Sequence, residues 1–281
     1  MHFVFDIFGG YKPGVIVHFL RWRFFKRAHS MIRSVFPLLS LVLALASCKR
    51  AEELSHRVLS SVPHDTQCYT QGLELSGGRL FESGGGYGES TIREVNPQTG
   101  EVIRKREMAR HVFAEGITLL NNELFVLTWK ENIAYVLEPD TFRPIRQHSY
   151  EGEGWGLTNN GSELIMSDGS STLRFLDPKT FDIKRTVTVT DGSIETDMLN
   201  ELEYVNGSVF ANIYTVDRVA RIDAKTGKIT GWLDLSSLRN KLPRPHKAEV
   251  LNGIAHDPAT GRFLVTGKLW PRMFEIEILP K

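Results

Sequence analysis

The chain has 281 residues, 41% hydrophobic and 24% charged, with a formal net charge of +1. This is ordinary globular composition, long enough for one large domain or two small ones. Its two cysteines, Cys48 and Cys68, exclude a disulfide framework and a CxxC metal pattern.

Residues 1–47 differ from the rest. Arg33 precedes a short apolar run, residues 35–46, with small residues near its end, the pattern of a secretory signal. The run is shorter than the ~20 apolar residues that a spanning helix needs. It ends Leu45-Ala46-Ser47-Cys48. That resembles the lipobox of bacterial lipoproteins, in which the cysteine is lipidated and becomes the mature N-terminus. A plain signal peptide with a chance cysteine is the alternative. Met31 stands where such a signal would begin, so residues 1–30 read as an over-extended start. The competing reading is a basic, aromatic membrane-surface segment over residues 18–27. Residues 48–55 are then a lipid-anchored tether and residues 56–281 one domain. The expected location is the periplasm of a bacterium, with the membrane reached through Cys48 and the protein a monomer. From residue 48 onward, 28 Lys and Arg face 32 Asp and Glu, a balance of −4. A mildly acidic body gives no support for nucleic-acid binding.

Beyond residue 55 the chain repeats itself. Five segments open in similar ways: Gln71-Gly72-Leu73, Glu115-Gly116-Ile117, Trp155-Gly156-Leu157, Asn200-Glu201-Leu202 and Asn252-Gly253-Ile254. After each opening strand come a short polar turn, a second apolar strand (LFES, LFVLTW, LIMSD, VFANIYT, FLVTGKLW) and a third. Four of the repeats continue into a fourth strand. Strands joined by such turns are hairpins, and a four-strand unit every 40–50 residues or so is the period of a propeller blade. The pattern predicts an all-β, five-bladed β-propeller. The fifth repeat runs out after three strands, and residues 56–64 (HRVLSSVPH) supply the missing outer strand and close the ring. A twisted β-sandwich would not explain the period.

In a propeller the first strands line the central channel. Gln71, Glu115, Trp155, Asn200 and Asn252 are therefore expected to converge at one mouth. Trp129, Asp168, Tyr214 and Lys268, at the ends of second strands, rise toward the same place, and Tyr69 and Phe113 precede two ring positions by two. Aromatic walls over a few polar groups are the usual make-up of a small-molecule site. For any single Trp, packing between blades is the competing role. Weaker signals carry less. The GGGYG run at 84–88 lacks a strand-to-helix context, no HxxxH or HExxH spacing is present, and no GxSxG elbow occurs.

The motifs YTQGL (69–73), FAEGIT (113–118), TWK (128–130), EGWGL (153–157), LNELEY (199–204), LNGIA (251–255) and TGKLWP (266–271) together resemble the plant-type and bacterial glutaminyl cyclases, or glutaminyl-peptide cyclotransferases. The resemblance covers about residues 56–279. It implies a five-bladed propeller that turns the N-terminal glutamine of peptides or proteins into pyroglutamate and frees ammonia. By the same resemblance, Glu115 is the catalytic acid and base and Lys268 a donor to the developing oxyanion. Gln71 and Asn200 hold the substrate amide and backbone. Phe113, Trp129, Trp155, Tyr69 and Tyr214 wall the pocket. Tyr69 falls where the plant pattern has Phe, a mild change, and Tyr214 falls where the pattern has Trp, a departure that puts substrate preference in doubt. Asn252 is expected to be structural. No cofactor or metal is required by this chemistry, and a structural cation in the channel stays open.

Two other readings compete. A metal-dependent propeller hydrolase, lactonase-like or strictosidine-synthase-like, would need several channel carboxylates, and the ring of strand starts has one. A non-enzymatic lipoprotein, acting as scaffold or peptide-binding module, would tolerate loss of Glu115.

Overall fold

The computed structural model describes residues 50–281. The leader, Cys48 and the first residues of the expected tether lie outside the described residues. The described chain is all-β, with a single short 3-10 helix, Ser236–Lys241. No helix among the described residues is long and apolar enough to cross a membrane.

Strand β1 (Glu52–Pro63) is followed by four-stranded antiparallel sheets. The first is β2 (Thr70–Ser76), β3 (Arg79–Gly84), β4 (Thr91–Val95) and β5 (Val102–Glu107). The second is β6 (Ala114–Leu120), β7 (Glu123–Thr128), β8 (Ile133–Leu137) and β9 (Pro144–Ser149). The third is β10 (Leu157–Asn159), β11 (Leu164–Met166), β12 (Thr172–Leu176) and β13 (Ile183–Thr188). A small hairpin, β14 (Thr190–Asp191) with β15 (Ile194–Glu195), is inserted next. Then come β16 (Leu199–Val205), β17 (Ser208–Ile213), β18 (Arg218–Asp223) and β19 (Ile229–Asp234), and finally β20 (Leu251–Asp257), β21 (Arg262–Gly267) and β22 (Arg272–Pro280).

Strand β1 joins the last two groups into one eight-stranded sheet. It runs antiparallel to β22 as the sequence led one to expect, and its first residues, Glu52 to Leu54, also pair parallel with β19. This corrects the boundary of the tether: the sheet begins at Glu52, inside the stretch expected to be a linker. Of β1, the stretch 56–64 read as a strand from the sequence covers only the part that pairs with β22. The hairpin β14–β15 and the 3-10 helix were not predicted, and they account for the two longest steps between repeats.

Turn chemistry fits the strands. The hairpins β2–β3, β6–β7 and β16–β17 turn on Gly77-Gly78, Asn121-Asn122 and Asn206-Gly207, every one with positive φ. Such turns carry the twist that antiparallel strands need, and Gly and Asn tolerate it at least cost. The outer strands β5, β9 and β13 alternate between exposed and half-buried residues. The inner strands are buried on both faces. Each inner strand packs against the next in the order β2, β6, β10, β16, β20, and β20 packs back against β2. The apolar clusters follow the same circuit. Phe81, Ile117, Leu124 and Phe142 fill the space between the first two sheets. Leu73, Leu80, Ala255 and Met273 fill the space between the last and the first. Each of these side chains except Ala255 contributes roughly 1.5–3 kcal/mol by leaving water.

Candidate active site

Four of the five opening residues, all but Trp155, reach the channel from strands that are bulged. Register slips against the second strand between Thr70 and Gly72, Ala114 and Ile117, Leu199 and Leu202, and Leu251 and Ile254. A bulge inserts a residue and re-aims its side chain. Here it turns Gln71, Glu115, Asn200 and Asn252 inward from strands that otherwise read as buried runs. The glycine of the motif has a separate reason. A Cβ on Gly116 would lie 2.4 Å from Leu157 N, and one on Gly156 would lie 1.9 Å from Asn200 O. Neighbouring inner strands touch backbone to backbone at these points.

One cavity of about 320 Å³ opens there, lined by Tyr69, Gln71, Phe113, Glu115, Trp129, Trp155, Asn200, Tyr214 and Lys268. All nine residues singled out for the site from the sequence thus meet in one place. Two others do not line it. Asn252 is fully buried beside the floor, where its Nδ2 donates to Thr70 O at 2.9 Å and to Gln71 Oε1 at 3.3 Å. Asp168, expected at the mouth, is instead ion-paired with Arg174, which a neighbouring strand presents to it.

Glu115 sits at the floor, 4% exposed. Gln71 Nε2 donates to its Oε1 at 3.0 Å, so Asn252 orients Gln71 and Gln71 orients Glu115. Burial pushes the Glu115 carboxyl well above its ordinary range. The positive charge of Lys268 pulls the other way, and the negative charges of Glu153 and Glu131 add to the rise. Lys268 is itself buried, and burial lowers its pKa to about 8, against the opposing effects of Glu115 and Glu249. Its Nζ lies 4.5 Å from the Tyr69 ring centroid and 5.2 Å from that of Tyr214. Asn200 Oδ1 is buried with no hydrogen-bond partner among the described residues, an acceptor facing a cavity.

The walls form a chain of edge-to-face contacts. Tyr69 meets Phe113 at 6.5 Å, Phe113 meets Trp129 at 5.5 Å, and Trp155 meets Tyr214 at 5.6 Å. Sequence reasoning missed the acids that hold these rings. Glu131 accepts from Tyr87 Oη at 3.0 Å and from Phe113 N at 3.3 Å, and Tyr87 also packs on Phe113. Glu153 accepts from both indoles. The available signal was the place of Glu153 in EGWGL, two residues before a wall tryptophan.

Further carboxylates lie along the inner strands beyond Gln71 and Asn200. Glu201 accepts backbone N–H groups from Leu73 and Ile254, and so ties three inner strands together. Glu203 accepts from His256 N and Glu74 from the Thr118 hydroxyl. Burial raises the pKa of all three. Away from the cavity, His64, Cys68 and Glu82 stand close enough to hold a metal ion. The ligand atoms of His64 and Glu82 are already engaged: His64 Nε2 meets Glu82 at 2.7 Å, its Nδ1 meets Trp270 O at 2.7 Å, and Thr70 donates to Glu82 at 2.8 Å. Although burial opposes it, the cationic partners His64 and Arg93 hold the Glu82 pKa down at about 2. The cluster has the make-up of an internally balanced ion pair.

The sequence profile of the family described as glutamine cyclotransferase matches residues 34–278. The chain belongs to the glutamine cyclotransferase family. A glutaminyl-peptide cyclotransferase of Arabidopsis thaliana is 40% identical over 237 residues, covering 80% of this chain and 73% of the relative. The crystal structure of Myxococcus xanthus glutaminyl cyclase superposes with a TM-score of 0.77 at 33% identity, covering 82% of this chain and 99% of that one. Within this family frame, the cavity at the channel mouth is the site to which chemistry can be assigned.

Proposed function

We propose that the protein is a glutaminyl-peptide cyclotransferase, built as a five-bladed β-propeller, that closes an N-terminal glutamine into pyroglutamate and releases ammonia. Family membership supports the activity. The propeller reading is supported by the closed circuit of inner strands, with β1 completing the outer edge of the last unit. The observation that carries the site is the buried Glu115 carboxyl under aromatic walls, oriented by an amide and influenced by a lysine.

The glutamine side chain enters between the rings, and its γ-carboxamide carbon is brought next to its own α-nitrogen. Holding that near-attack geometry contributes several kcal/mol, roughly up to the 7–11 kcal/mol of ideal positioning. The nitrogen attacks as the neutral amine. As the new C–N bond forms, Glu115 takes a proton from that nitrogen. The carbonyl oxygen becomes an oxyanion, which the Lys268 ammonium stabilises. Glu115 then returns the proton to the side-chain nitrogen, the old C–N bond breaks, and ammonia leaves. The raised pKa brings Glu115 nearer the working pH, as a group that both takes and gives a proton needs. Asn200 Oδ1 is placed to accept a substrate N–H, and Gln71 keeps the carboxylate aimed. Every proton moves through Glu115, so these steps call on no metal or organic cofactor.

Glu115→Gln tests the assignment. The variant should remain folded and release no ammonia from a Gln-initiated peptide, read as the absence of the one-ammonia mass loss that the unaltered protein produces. Near-normal turnover would remove Glu115 from the mechanism. The same reading places the mature enzyme in the bacterial periplasm as a monomer, anchored by a lipid on Cys48. Its support is the signal-like run ending in Cys48. Mass spectrometry of the mature N-terminus should find an acylated Cys48, and an unmodified start would remove the anchor.

A further inference from the structure

We infer that Glu153 is a positioning residue that sets the spacing of the two tryptophans between which the glutamine side chain is held. This inference rests on the cyclotransferase reading of the cavity.

The argument starts from a gap. Around the mouth, ring touches ring from Tyr69 through Phe113 to Trp129, and again from Trp155 to Tyr214. Between Trp129 and Trp155 no ring contact exists among the described residues. Glu153 fills that break. Its Oε2 accepts Trp129 Nε1–H at 2.7 Å and Trp155 Nε1–H at 2.9 Å, so one oxygen atom pins both indole nitrogens. A carboxylate oxygen has the two lone pairs this needs, and hydrogen bonds to an ionised acceptor are the stronger kind. The other oxygen, Oε1, faces Lys130 Nζ at 3.6 Å. Lys130 in turn lies 3.9 Å from the centroid of the Trp129 ring. The acid is therefore held from one side and holds the rings on the other.

The backbone does not depend on this contact. Gly154 N donates to Trp129 O at 3.1 Å and Trp155 N donates to Ser167 O at 3.0 Å, so the main chain on both sides of the cavity is fixed independently. What Glu153 adds is the rotational setting of two indoles that line the cavity. An indole swung away widens the slot, and the side-chain amide then reaches the α-nitrogen in fewer productive poses. Loss of such positioning without loss of any reacting group can cost ~10²-fold in rate.

Two variants separate the hydrogen bond from the charge. Glu153→Gln keeps an oxygen that can accept both indole N–H groups, whereas Glu153→Ala keeps none. In the full-length protein, Glu153→Ala should lower kcat/KM for a Gln-initiated peptide by roughly ten-fold to a hundred-fold with an unchanged melting temperature. Glu153→Gln should recover most of that loss. The near-UV circular dichroism bands of tryptophan in substrate-free protein should weaken in Glu153→Ala and persist in Glu153→Gln. Normal turnover in Glu153→Ala would overturn the inference, and so would a Glu153→Gln as impaired as the alanine variant. If the unaltered protein releases no ammonia from the peptide, the cyclotransferase reading fails by itself. The dichroism of the two variants still reports whether Glu153 orients the indoles.

Discussion

Lys268 shows how one burial sets two properties. Withdrawal from water lowers its pKa to about 8, so the ammonium persists through neutral pH and is lost above it. An oxyanion donor must carry its proton, so activity should fall as pH rises through about 8. The rise on the acid side should follow deprotonation of Glu115 and of the substrate amine, whose ordinary pKa is ~7.7–8.0. Initial rates across pH should therefore trace a narrow bell. Lys268→Met should cost ~10²–10³ in kcat, the usual loss for one oxyanion donor, and should remove any alkaline limb that Lys268 imposes. The residue identities of this site were legible in the chain because each sits at a fixed place in the repeat. Glu131 and Glu153 were not, since no periodicity marks them and the partners Tyr87, Phe113 and Trp129 come from other parts of the chain. Asp168 was misplaced for the converse reason: its repeat position is right, but Arg174 pairs with it.

At the level of the strand, two devices recur: a bulge in β2, β6, β16 and β20, and a glycine at Gly72, Gly116, Gly156 and Gly253. The bulge turns a polar side chain into the channel, and the glycine lets adjacent inner strands meet. Gly156→Ala tests the second half. Its Cβ would fall 1.9 Å from Asn200 O, against backbone that cannot swing aside. We expect a loss of at least ~1–3 kcal/mol, read as a lower midpoint in denaturant, with reduced activity because Trp155 and Asn200 flank the clash. Most strands were legible from apolar runs and turn residues such as Asn206-Gly207. The bulges were not, because a one-residue slip leaves composition unchanged. Nor were the β14–β15 hairpin and the 3-10 helix, which lie between repeats where no pattern constrains the chain. The N-terminal strand was recognised, but its start was set four residues late, since Glu52 and Glu53 look like linker and only their parallel partners on β19 make them sheet.

The whole molecule carries a pH dependence distinct from that of catalysis. Burial raises the Glu74 pKa to about 7 from its ordinary 4.5, against the Thr118 hydroxyl that lowers it, and Glu201 and Glu203 are raised beside it. In that window the folded chain holds a proton that the unfolded chain has released. Stability from Glu74 is thus complete below pH 4.5 and lost as pH rises to about 7, a change of about 3 kcal/mol. Glu74→Gln should raise the melting temperature at pH 8 and leave it nearly unchanged at pH 4, as differential scanning calorimetry would show. Glu82 runs oppositely: its pKa, lowered to about 2, gives stability present above pH 4.5 and lost as pH falls toward 2.

The seam formed by β1 has a consequence for biogenesis. Its partner β22 lies more than 200 residues away in the chain, so the sheet holding both can assemble only after synthesis has passed residue 272. Such distant pairing is slow, because loop closure must precede any gain in contacts. During translation the part of β1 from Ser55 to Pro63, which pairs with β22 and not with β19, therefore waits unmatched while β22 is still inside the ribosome. A nascent chain stalled before residue 272 should remain protease-sensitive in β1, and emergence of residues 272–280 should confer protection in a single step.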